Sequence, residues 1–455
     1  MSDERDTHES HVDPFSGQSV SGHVAPLRLS RKAQLAAEPA VTRLIELALG
    51  QEDLISFAPG LVDEETLPDA DTELACRAVL GNKELARRAL QYGTTSGLPG
   101  LRRALAAYLT ELDARAGVSH EFDPDRIVVG TGSQQLLYLL TQVLVDPGDI
   151  VITSAPDYFV YMATLEGAGA TMWGVPLDEH GIVPQALEQL FRQLDHEGVL
   201  ERVRLVYNVS YFHNPTGVTL SLKRRRELLE IVRRWSRKHR ILIVEDAAYR
   251  ELADEPEELP PSLAGLDETD SFVALCQTFS KPYAPGLKCG YAYLPEDLVE
   301  AVVCEKTNHD FGSPNLIQHV MLELMERGAY ARQVERLRKH YAAKRSILLR
   351  ALAEARRKLN LPFRWTEPRG GLYVWIVLPE GIRTDSESAL FRTAIKHGVL
   401  YVPGEYCFLG IRMLNPNTPL GNASNTIRFA YGHCPLDRIE EGVQRFARAL
   451  ADVAP

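Results

Sequence analysis

The chain has 455 residues, enough for a large core and more than one structural unit. Its formal net charge of -11 argues against a nucleic-acid or anionic-membrane protein, although a local anion site does not depend on net charge. The six cysteines, Cys76, Cys276, Cys289, Cys304, Cys407 and Cys434, form no C-x-x-C pair, so they read as reduced thiols of a cytoplasmic protein rather than as a zinc or redox motif.

Residues 1–24 are polar, carry no apolar run of the signal-peptide type, and read as a disordered tail. No apolar stretch is long enough to span a bilayer. Residues 27–49 have helical spacing, interrupted at Pro39. A short strand-like run over 54–61 ends in Pro59-Gly60. Amphipathic helices are predicted over 71–90 and 98–114, with a glycine-rich loop containing Tyr92 between them. A strand over 126–130 leads into a helix over 134–145. The connection, Gly130-Thr-Gly-Ser-Gln-Gln135, suits a phosphate cradle: glycines let the backbone approach, and the helix start offers unpaired N–H groups. Gln135 occupies the place of the third glycine of a dinucleotide fingerprint, which excludes that reading.

Strands and helices then alternate, with strands over 149–153, 170–175 and 203–207 and helices over 184–194 and 222–239. The arginines of the last helix, Arg224, Arg225, Arg226 and Arg233, read as the solvated outer face of a crossover helix, because no aromatic platform for nucleic acid accompanies them. Asn214-Pro-Thr-Gly217 is a turn by its own chemistry, and His213 before it reads as a packed loop histidine. Tyr211 is a further pocket candidate. An apolar strand over 241–246 delivers Asp246 at its C-terminal end, the edge at which open α/β sheets bind ligands.

Lys281 follows the apolar run 272–276, between Thr278-Phe-Ser280 and a Pro285-Gly286 turn. A partly desolvated amine loses its proton readily and can form a Schiff base. Thr278, Ser280 and Lys288 stand close enough in sequence to gather around an anion. Helices over 296–306, 315–326 and 330–358 come next, then a strand over 370–378, Gly-Gly-Leu-Tyr-Val-Trp in its first half. Arg428 lies in a strand among apolar neighbours. A buried guanidinium there demands an anionic partner, and its fork suits a carboxylate. A final helix is predicted over 436–451. His309 and His319 have no metal-ligand spacing, so no metal site is expected.

The segment 278–290 resembles the lysine motif of the class I/II aminotransferases, the fold type I enzymes of pyridoxal 5'-phosphate, except that Lys288 stands where that family has arginine. Asn214-Pro-Thr-Gly217, the Gly-Gly-x-Phe-x-Trp-like run at Gly370 and the Pro-Gly at Pro403-Gly404 follow in the family's order. Within it, the kynurenine, 2-aminoadipate and aromatic subgroup is nearest. The resemblance implies an α/β fold with a mostly parallel seven-stranded sheet. It places a large PLP-binding domain over 69–326, and a smaller α/β domain from 25–68 and 327–455. It implies a homodimer with shared active sites.

By the same resemblance Lys281 forms the Schiff base with the cofactor and moves the substrate proton. Asp246 pairs with the pyridine nitrogen, and Asn214 and Tyr249 hydrogen-bond the 3'-oxygen. Tyr158 lies against the ring. Ser133, Gln134, Thr278 and Lys288 hold the phosphate, joined by Tyr92 of the neighbouring subunit. Arg428 takes the substrate carboxylate, beside Gly60 and Asn214. The implied reaction is amino-group exchange between an L-amino acid and a 2-oxo acid. Two alternatives stay open: another pyridoxal-phosphate enzyme of this fold (a C–S β-lyase, or an oxidative or decarboxylating enzyme), and a regulatory protein with an aminotransferase-like domain.

Overall fold

The computed structural model describes residues 27–35, 53–416 and 418–454. The polar tail, and the helix expected over 27–49 beyond its first turn at Arg31–Leu35, lie outside the described residues. Among the described residues no helix is long and apolar enough to cross a membrane.

Apolar runs without polar alternation form the middle of the main sheet. Ile150–Ala155, Leu242–Asp246 and Val273–Thr278 are buried along their whole length. The strand order is Ile411–Met413, Thr171–Asp178, Ile150–Ala155, Val203–Val209, Leu242–Asp246, Val273–Thr278, Gly290–Tyr293 and Ile127–Gly130. Of these strands only Gly290–Tyr293 runs antiparallel to its neighbours. The expected seven strands are therefore present, and the sheet is wider by two pieces. Ile411–Met413 adds an edge strand from far along the chain, and Gly181–Ile182 folds back on Thr171–Asp178.

A second, antiparallel sheet runs Arg364–Trp365, Tyr373–Val377, Thr426–Ala430, Val402–Pro403. The N-terminal segment joins its periphery. Ile55–Ser56 pairs in parallel with Val399–Leu400, and Ala430 N donates to Phe57 O at 2.8 Å. The ring of Phe57 stacks on Phe429 with centroids 4.6 Å apart. This brings Ala58, Pro59 and Gly60 to the end of the strand that carries Arg428.

The 31-residue helix Ala329–Leu359 ties the two sheets together. Its buried Lys344 pairs with Asp63 and donates to Gly432 O at 2.8 Å, while Arg338 Nε donates to Glu251 O at 2.7 Å.

Two local expectations are corrected. The helix expected over 71–90 is two, Asp69–Gly81 and Lys83–Ala89, because Asn82 leaves the helical conformation and its side chain caps the second through Glu84 N and Leu85 N. Arg225 is not on a solvated face. It is fully buried, paired with Glu245 at 2.8 Å, and its guanidinium covers the Tyr211 ring at 4.2 Å. A carboxylate at the sheet end turned the arginine inward. Tyr211 is thereby taken up in the core, its hydroxyl donating to Pro260 O, and does not line the cavity described next.

Candidate active site

At the C-terminal ends of the central strands lies a cavity of about 200 Å³, lined among others by Gly60, Tyr158, Asn214, Tyr249, Lys281 and Arg428. Six expected site residues thus converge from segments far apart in sequence. Lys281 follows the strand Val273–Thr278, and its Nζ donates to Gly60 O at 2.6 Å. Burial first, then the positive charges of Arg428 and Lys288, bring its pKa down to about 8. A useful fraction of the amine is therefore neutral near physiological pH.

Asp246 ends the strand Leu242–Asp246 and is buried. Its Oδ2 accepts from Tyr207 Oη at 2.9 Å and its Oδ1 from Ala248 N at 3.1 Å. Burial outweighs these bonds and, with Asp157 adding to it, pushes the carboxyl up to about 6. No cationic side chain pairs with it among the described residues; a protonated ring nitrogen would supply the missing charge.

Arg428 is 3% exposed and has no carboxylate partner among the described residues. Nη1 donates to Asn214 Oδ1 at 2.9 Å and Nη2 to Ala58 O at 2.6 Å, while the buried Nε has no partner. The guanidinium lies between the rings of Tyr373, at 4.7 Å, and Phe159, at 5.3 Å. The expected anion is not supplied by the protein, so this cation is ready for a ligand carboxylate.

The phosphate cradle forms at the start of the helix Ser133–Leu144, where no side chain caps the free N–H groups. Gly132 before it has φ 91°, a conformation that favours glycine, and a Cβ there would stand 3.7 Å from Thr278 Oγ1 and 4.0 Å from Ser280 Oγ. Thr278 Oγ1 and Ser280 Oγ are hydrogen-bonded at 2.9 Å. The Gln134 side chain donates to Thr164 Oγ1 at 3.3 Å. Lys288 is exposed in a left-handed conformation beyond the Pro285–Leu287 turn. Tyr92 stands apart: it is 82% exposed, and its ring meets Phe311 edge-on, 5.5 Å between centroids.

His213 is packed, as expected of a loop histidine. Nε2 lies 3.0 Å from Ser154 Oγ and 3.3 Å from Asp157 Oδ1, and Nδ1 lies 2.9 Å from Thr216 Oγ1. It ties the Asn214 turn to the Asp157-Tyr158 loop. Tyr207, Phe159 and Tyr373 escaped sequence reasoning, since each acts on a residue distant in sequence.

These residues fit pyridoxal 5'-phosphate. An amine of lowered pKa, a buried carboxylate without a cationic partner, an uncapped helix start beside two hydroxyls and a guanidinium without a carboxylate partner are the four contacts such a molecule and its amino-acid partner need.

Residues 54–446 match the family described as Aminotransferase class I and II. Aromatic-amino-acid aminotransferase 1 of Thermococcus litoralis is 32% identical over 402 residues, 88% of either chain. The multiple substrate aminotransferase of Thermococcus profundus superposes with a TM-score of 0.82 at 32% identity, over 93% of this chain and 97% of that one. The alpha-aminoadipate aminotransferase of Thermus thermophilus, complexed with N-(5'-phosphopyridoxyl)-L-leucine, gives 0.76 at 31% identity, over 93% and 97%. The chain belongs to the class I and II aminotransferases, and is a pyridoxal-phosphate-dependent enzyme of fold type I that transfers an amino group between amino acids and 2-oxo acids.

Proposed function

We propose that the enzyme acts on amino acids with aromatic or other large apolar side chains, with Lys281 as the covalent anchor of its cofactor. The observation that carries the substrate class is the cavity lining. Besides Lys281, Arg428 and Asn214 its lining residues are glycine, apolar or aromatic, with Leu61, Phe159, Val160 and Tyr373 among them, and no further cation among the described residues lines it to meet a side-chain carboxylate. Relatives named for aromatic amino acids, kynurenine and 2-aminoadipate support that subgroup, and the lining favours its aromatic members.

When bound, pyridoxal phosphate supplies an electron-poor ring that accepts the electron pair left by a departing α-proton. The protein's residues divide the remaining work. Arg428 binds the substrate carboxylate in its guanidinium fork, with Gly60 and Asn214 beside it. The Lys281 Nζ, neutral in part at a pKa of about 8, would take the α-proton and deliver it to the C4' carbon of the cofactor. Asp246 would stay ionised beside the ring nitrogen, held in place by Tyr207. Asn214 and Tyr249 would donate to the ring oxygen, and Tyr158 would cover the ring. Ser133, Gln134, Thr278 and Lys288, with Ser280 beside Thr278, would hold the phosphate.

The exposed Tyr92, outside the cavity of its own chain, supports a homodimer in which it completes the neighbour's site. The pairing of Ile55–Ser56 with Val399–Leu400 supports a smaller domain from 25–68 and 327–455, with 69–326 as the cofactor domain. Six free cysteines, four of them buried, support a cytoplasmic setting.

The test is 2-oxo acid formation from phenylalanine, tryptophan, kynurenine, 2-aminoadipate and aspartate. The aromatic substrates are expected to exceed aspartate in kcat/KM by about 10- to 100-fold, the range of side-chain discrimination by an apolar pocket. A preference for aspartate would overturn the reading.

A further inference from the structure

Tyr373 opens the strand Tyr373–Val377 and is buried. One face of its ring carries the Arg428 guanidinium at 4.7 Å. Its hydroxyl lies 3.0 Å from that of Tyr249, the ring planes 82° apart. The same oxygen bounds Gly60, where an added Cβ would come within 2.6 Å of it. Each phenol has one proton, and two phenols facing one another can place only one of them between them. The second must point elsewhere. The Arg428 guanidinium lies on the ring face of Tyr373, so the cation favours the arrangement that builds negative charge on the Tyr373 oxygen, with Tyr373 donating and Tyr249 accepting.

We propose that Tyr373 is a positioning residue, whose hydroxyl donates to the Tyr249 oxygen and so leaves the Tyr249 proton to point at the ring oxygen of the cofactor. Arg428, Tyr373 and Tyr249 then form a line from the carboxylate-binding cation to the cofactor ring. Where the family pattern has phenylalanine this chain has tyrosine, and the added oxygen closes that line. This rests on Tyr249 facing the cofactor as proposed above.

The experiment is a pH titration of the visible absorbance of bound pyridoxal phosphate without substrate. Tyr249 donation favours the deprotonated chromophore, so Tyr249→Phe is expected to raise the midpoint. Tyr373→Phe removes a single oxygen and keeps the ring under Arg428; it is expected to raise the midpoint by roughly half a pH unit, the effect of one neutral hydrogen bond felt through another. The double variant is expected to match Tyr249→Phe alone, since Tyr373 acts only through Tyr249. A 3-fluorotyrosine in place of Tyr373, a stronger donor with an intact fold, is expected to lower the midpoint. A fall or no change in Tyr373→Phe, or additive effects in the double variant, would overturn the proposal. An unchanged midpoint in Tyr249→Phe would instead overturn the placement of Tyr249, and this proposal with it.

Discussion

Arg428 and Asn214 are joined across the two sheets, Nη1 donating to Oδ1 at 2.9 Å. The bond fixes the amide orientation. With Oδ1 accepting from the guanidinium, Asn214 Nδ2 is left to donate towards the cavity. One contact thus sets both the carboxylate-binding fork and a donor for the cofactor.

Arg428→Met is expected to lower kcat/KM by about 100-fold or more, mostly through KM, because a charge-assisted bidentate pair with the substrate is lost. The same change should not destabilise the cofactor-free protein. A buried guanidinium without a carboxylate partner is a burden on the fold, and an apolar side chain of similar length relieves it. Thermal unfolding of the cofactor-free proteins checks this. A fall in Tm of several degrees would mean that the arginine is structural.

Asp246→Asn is expected to reduce kcat on the order of 100- to 1000-fold, the range for loss of one preorganised charge. Its second signature lies in stability against pH. The folded carboxyl titrates at about 6, above its ordinary 3.8, so the folded state holds the proton more tightly. The resulting stabilisation is present in full below pH 3.8 and is lost as the pH rises through 6, on the order of 3 kcal/mol. The asparagine variant lacks this dependence. In urea denaturation of the cofactor-free proteins, wild type should therefore lose ground to the variant between about pH 4 and 7. Parallel curves would contradict the buried, unpaired state of Asp246.

The site was legible where chemistry is written locally. Lys281 and Asp246 stand at the ends of apolar strands, and Asn214 lies in a turn that its own sequence dictates. Six of the seven main strands follow from the same apolar runs. What remained hidden depends on distant partners. Tyr207 finds Asp246 39 positions away, and Tyr373 finds Tyr249 124 away. The edge strand Ile411–Met413 is short and half-buried, with no alternation to announce it. Arg225 looked like the other basic residues of its helix, and nothing local announced the carboxylate of Glu245 that pairs with it at the sheet end. Asn82, a capping residue after Gly81, was a readable signal for the helix break that the apolar spacing of 71–90 masked.

The Lys281 amine offers a direct check on the charges around it. Arg428 is the larger of two positive neighbours that lower its pKa to about 8, after burial. In the cofactor-free protein, the pH dependence of amine labelling at Lys281 should have its midpoint near 8. Arg428→Met should move that midpoint upward, since the repelling charge is gone while burial is kept. An unchanged midpoint would show that the Arg428 charge does not act on the lysine.

Tyr92 gives the test of a shared active site. It is exposed on its own chain and absent from the cavity, so as a ligand for the cofactor phosphate it must act on another copy. Tyr92→Ala is expected to weaken cofactor binding by about 10-fold, the loss of one hydrogen bond to a charged group. Lys281→Ala is expected to abolish turnover. A mixed dimer of the two variants carries one site with an intact Lys281 and, from its neighbour, an intact Tyr92; the other site lacks both. At limiting cofactor, equal mixtures refolded together should recover about a quarter of the wild-type activity, because half the dimers are mixed and each has one complete site. Activity no higher than that of the Tyr92→Ala sites alone would place Tyr92 outside the neighbour's site.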